Sequence, residues 1–123
     1  MESAIAVNES VRSRRDEPCA DVQVQMNALW RENRAMLLNR LDMLERECWR
    51  WLRVPEDRAA PIIARDLAHK LAGVLGTFGL RRGSMVASTI ERLVGMPRHV
   101  RGAGGKTIYA LLSELREIVR TKS

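Results

Sequence analysis

The sequence predicts an all-α fold, an antiparallel up-and-down four-helix bundle with a long first helix. Three observations carry that prediction. Apolar residues recur at steps of three, four and seven in four separate stretches. No segment alternates with period two for long enough to make a strand. The four stretches are joined by mostly short connections that carry prolines and glycines, as antiparallel neighbours require.

Each element follows in order. Residues 1–21 show no sustained period and mix Ser, Asn, Arg and Glu with Pro18, which predicts a flexible tail ahead of a single domain over 22–123. From Val22 onward, Met26, Trp30, Leu37, Leu41, Leu44, Cys48 and Trp51 form one stripe, and the helix ends near Arg53 ahead of Val54-Pro55. A second helix follows Glu56 and Asp57, takes Pro61 in its first turn, and presents Ile63, Leu67, Leu71, Val74, Leu75 and Phe78 as its apolar face. Gly79 is placed to adopt the left-handed conformation that stops a helix. A third helix then turns Val86, Ile90 and Leu93 inward. Met96 to Gly105 reads as a loop, and a fourth helix from about Lys106 to Arg120 buries Ile108, Leu111, Leu112, Leu115 and Ile118.

Composition narrows the function classes. The balance of 29% charged and 46% apolar residues is that of a soluble globular chain, and Leu71–Leu80, its most apolar run, is too short to span a bilayer. The start MESAIAVNESVRSRRDEPC has no uninterrupted apolar segment, so a cytoplasmic protein with reduced Cys19 and Cys48 is expected. Neither cysteine has zinc spacing with His69 or His99, and no metal or cofactor is expected on this chain. The net charge of +6 lies in the second half: residues 61–123 hold eleven Lys or Arg against four acids. Such a surface favours an acidic partner.

The stretch RDLAHKLAGVLGTFG concentrates the chemistry. At about 100° per residue, His69 falls about 200° from both Leu67 and Leu71, so it is expected to face solvent. Arg65 lies one turn before it, and Ala72, Gly73 and Gly76 follow on the same side. The two glycines are open to two explanations, close packing on a neighbouring helix or clearance for a docking partner. A neutral imidazole on a rigid helix, ringed by small residues and cations, suits a phosphoryl acceptor.

The runs AHKLAGVLGTFGL and SMVASTIERL resemble the bacterial type of histidine-containing phosphotransfer (HPt) domain. Its signature is roughly His-x-Leu-Lys-Gly followed six residues later by Gly, matched here by His69, Leu71, Gly73 and Gly79, with Phe78 in an apolar place. The resemblance covers about residues 24 to 121. It implies a four-helix bundle and reversible transfer of a phosphoryl group between Nε2 of His69 and an aspartate of a receiver domain, in a response regulator or hybrid histidine kinase. It also implies a carrier without its own ATP site, with Mg²⁺ held by the receiver. The chain departs from the signature at Ala72, where relatives place Lys; Arg65 and Lys70 are the candidates to stabilise phosphate instead, Arg65 by preference. Ala72, Gly73, Gly76, Arg81, Arg82 and Gly83 are the expected docking surface.

Two alternatives keep different parts of this reading. One is a non-phosphorylated HPt-like adaptor that binds and regulates a kinase or receiver. The other is a basic helical nucleic-acid-binding protein, against which the tryptophans count: Trp30 and Trp51 lie on the core stripe and Trp49 on its flank, away from the cations. RGAGGKT at 101–107 ends like a phosphate loop but has Val100 where the first glycine belongs and no strand before it. His99 has no motif around it. A monomer is expected over a homodimer through the first helix.

Overall fold

A computed structural model describes the backbone of residues 2–96 and 101–122 and the side chains of residues 21–96 and 105–122. It contains four helices and, among the described residues, no strand: α1 is Glu2–Arg53, α2 Ala59–Thr77, α3 Arg81–Val94 and α4 Arg101–Thr121. No helix among the described residues is long and apolar enough to cross a membrane. The chain divides into two compact units, Met1–Glu32 and Asn33–Ser123. The first is the leading part of α1. The second holds the rest of α1 and the other three helices.

Two boundaries differ from the sequence expectation. Helix α1 begins at Glu2 and not near Val22, since no glycine precedes Gly73 and Pro18 is the lone proline before Pro55; the flexibility expected of residues 1–21 lies outside what is described. Helix α4 begins at Arg101, so Gly102, Gly104 and Gly105, expected in the loop, are helical. The remainder of that loop, residues 97–100, lies outside the described residues, and so does His99.

The ends of α2 follow from side-chain and backbone chemistry. Asp57 Oδ1 accepts hydrogen bonds from the backbone N–H groups of Ala59 and Ala60 at 3.0 and 3.1 Å, which satisfies donors that have no partner within the helix. Pro61, in the first turn, forfeits no internal bond. At the other end Gly79 takes φ 76°, the left-handed conformation expected of it. The N–H of Leu80 bonds to the carbonyl of Leu75 at 2.9 Å and that of Gly79 to Gly76 at 3.0 Å, a Schellman termination.

The core of α1 is the stripe read from the sequence, with Trp30, Leu37, Leu41, Leu44, Cys48 and Trp51 all buried. The core face of α2 matches its expected face only in part, at Leu71 and Leu75. Ala60, Ala64, Ala68, Leu71, Ala72 and Leu75 are buried, while Ile63 is exposed and Ile62 is 70% exposed. Alanines at every fourth position make a low ridge onto which α3 packs closely. On α3 the buried residues are Gly83, Val86, Ala87, Ile90 and Val94. A β-carbon on Gly83 would lie 3.2 Å from Leu75 Cδ1 and 3.3 Å from Ile118 Cγ2, so the absence of a side chain there lets α2, α3 and α4 converge. On α4, Ile108, Leu112, Leu115 and Val119 are buried.

Ion pairs tie the helices of the second unit. Arg116 Nη2 on α4 donates to Asp42 Oδ1 and Glu45 Oε2 on α1 at 2.7 and 2.8 Å. Arg34 donates to the carbonyl of Arg120. Arg82 on α3 grips Glu114 on α4 through Nε to Oε1 at 2.6 Å and Nη2 to Oε2 at 3.2 Å.

Candidate functional site

His69 stands on α2 at the flank of the alanine ridge, beside α3, with a side chain 74% exposed. Its position follows from helical phase: Ala68 and Leu71 are buried, and the residue next to Ala68 is carried about 100° round from it. Glu91 of α3 approaches it, with Oε1 3.2 Å and Oε2 3.3 Å from Nδ1. A carboxylate only accepts, so Nδ1 carries the proton and donates it. Nε2 is then left with a free lone pair in the neutral ring, and among the described residues nothing hydrogen-bonds it. The arrangement holds an imidazole in one tautomer with its nucleophilic nitrogen uncovered.

A shallow groove between α2 and α3 surrounds this ring, lined by Ile62, Arg65, Asp66, His69 and Glu91. Arg65 belongs to it, one turn before His69. Lys70 does not line it; its Nζ is 3.0 Å from Asp66 Oδ2 in an ion pair. Of the two cations considered for phosphate, Arg65 is therefore the one the fold brings to the histidine.

The expected docking residues fall into two groups. Gly73 is exposed, and a β-carbon there would meet nothing within 4 Å, so its backbone is open to an incoming molecule. Arg81 is exposed at the start of α3. Gly76 is exposed but leans on α3, since a β-carbon would come 3.4 Å from Ser84 Oγ. Ala72 is only 8% exposed, and its carbonyl accepts from Ser84 Oγ at 2.8 Å. The expectation that Ala72 extends a cleared surface is corrected: it lies in the α2–α3 contact, where a lysine would have to be buried or displaced. Gly83 is likewise buried, for the packing reason given above. Arg82 is exposed but committed to Glu114, whose carboxyl it holds below the usual carboxylate range by hydrogen bonding.

Glu91 and Ser84 were not singled out in the sequence, yet one orients the histidine and the other binds the backbone beside it. A signal existed. Glu91 lies twelve residues after Gly79 and His69 ten before it, the near-equal spacing of residues that meet across a turn.

Elsewhere the chemistry is quiet. The Cys48 thiol is pushed up to about 12, first by burial and then by Glu45 and Glu47, so at neutral pH it is a buried, protonated thiol. Trp30 and Trp51 are buried, and the Trp49 ring is covered by Arg53, 3.7 Å from its centroid, and packed against Tyr109 at 5.1 Å. Trp30 and Trp51 therefore offer no free face for base stacking. Among the described residues no three His, Cys, Asp or Glu gather as a metal site. No family model, curated protein or solved structure matches the chain.

Proposed function

We propose that the chain is a histidine phosphotransfer protein: it carries a phosphoryl group on His69 between receiver-domain aspartates in a two-component phosphorelay, on an antiparallel bundle of the HPt kind. The observation that carries this reading is the exposed His69 ring, held at Nδ1 by Glu91 with Nε2 uncovered, beside Arg65 and the open backbone of Gly73.

Nε2 attacks the phosphorus of a receiver's aspartyl phosphate. The P–O bond to the aspartyl oxygen breaks, the carboxylate leaves with that electron pair, and the N–P bond forms. The ring becomes an imidazolium with its proton still on Nδ1, and the Glu91 carboxylate offsets that positive charge. The reverse step returns the group to a second receiver. Charge neutralisation at the phosphoryl oxygens comes from the receiver pocket, loaded in this reading with Mg²⁺. The chain itself supplies a positioned nucleophile and a basic surface that speeds encounter with an acidic partner in the cytoplasm.

Incubation with a phosphorylated receiver domain tests the reading. Acid-labile, alkali-stable label on the wild-type chain and none on His69→Gln is the expected result. Label that persists in His69→Gln, or a wild-type chain that takes none from any of the host's receivers, overturns it.

A further inference from the structure

The groove that holds His69 is lined by one cation, Arg65, and two carboxylates, Asp66 and Glu91. A phosphoryl group on Nε2 adds further negative charge to that groove. Glu91 is engaged at Nδ1 of the ring, and Asp66 is paired with Lys70 at 3.0 Å. Lys70, held in that pair, does not itself line the groove. The guanidinium of Arg65 has a seat of its own. Its Cζ and Nε are each 3.5 Å from the point where a β-carbon on Gly95 would stand, so it rests over the bare backbone that ends α3. The carbonyls of a last helical turn favour a cation there.

We propose that Arg65, seated on Gly95 at the end of α3, is the residue that holds the phosphoryl oxygens on His69, the task for which the resembling family uses a lysine where this chain has Ala72. The inference rests on the phosphorelay reading and assigns the residue that makes the phosphorylated state last. The side chain is exposed and has no part in the core, so its removal leaves the fold intact.

Phosphoramidate supplies the test without a receiver. Nε2 attacks its phosphorus, the P–N bond to the amine breaks, ammonia leaves, and the new N–P bond forms on His69. The lifetime of the phosphorylated chain is then followed by ³¹P NMR. Arg65→Ala is expected to shorten it roughly two- to fivefold, the scale of an exposed charge contact, and the gap narrows as salt rises. Lys70→Ala leaves the lifetime unchanged, and Arg65→Lys, which keeps the charge but loses the planar fork, falls between. Equal lifetimes for wild type and Arg65→Ala, or a larger effect from Lys70→Ala, overturn the assignment while leaving the phosphorelay reading in place. A wild-type chain labelled on His69 by neither phosphoramidate nor a phosphorylated receiver overturns both.

Discussion

At Glu91 a single carboxylate decides which nitrogen of His69 is free. Without it the imidazole samples both tautomers and more ring orientations, and in the proposed phosphorelay role the imidazolium of the phosphorylated state would lose its counter-charge. Glu91→Ala is expected to slow transfer from a phosphorylated receiver roughly three- to tenfold, as for loss of a hydrogen bond to a charged group. Glu91→Gln, whose amide oxygen still accepts from Nδ1, recovers part of the rate. Stopped-flow transfer kinetics separate the two, and a rate equal to wild type in Glu91→Ala contradicts the assigned role. His69 was legible in the sequence, because phase along one helix fixes its exposure. Glu91 was not, because its approach depends on how two helices pair.

The same contrast holds for whole elements. The core stripe of α1 could be read directly, since Trp30, Leu37, Leu41, Leu44, Cys48 and Trp51 recur at helical steps and all of them are buried. In α2 the isoleucines outweigh the alanines in any hydropathy pattern, yet close approach to α3 selects the alanine ridge and leaves Ile62 and Ile63 outside. The glycines of the two helices also part company. Gly73 carries the cost of a glycine in a helix with no packing reason, so Gly73→Ala is expected to stabilise the fold by about 1 kcal/mol in denaturant unfolding. Gly83→Val is expected to destabilise it by about 1–3 kcal/mol, because the added atoms enter the space already taken by Leu75 and Ile118. If the signs are reversed, the division between an open and a packed glycine is wrong.

For the second unit as a whole, the tie between Arg82 and Glu114 links stability to pH. Its partner holds the Glu114 carboxyl below the ordinary carboxylate value, so the folded state binds that proton more weakly than the unfolded chain. The contribution is present above the unfolded value and is lost as pH falls through the depressed one. Thermal melts of wild type and Glu114→Gln should therefore differ near neutral pH and converge in acid; a gap that widens in acid contradicts the linkage. Charge at this scale also shapes association. The basic excess after residue 60 was visible in composition, but the structure divides it into cations tied to carboxylates, such as Arg82, Arg116 and Lys70, and Arg65, which lines the groove of His69.

In the proposed role this groove presents one nitrogen of one histidine for phosphorylation. Histidine labelled with ¹⁵N, observed in a multiple-bond ¹H–¹⁵N spectrum after reaction with a phosphorylated receiver, reads that nitrogen directly. The expected spectrum has a phosphoryl group on Nε2 of His69 with the proton retained on Nδ1. A phosphoryl group on Nδ1, or on His99 in place of His69, would contradict it.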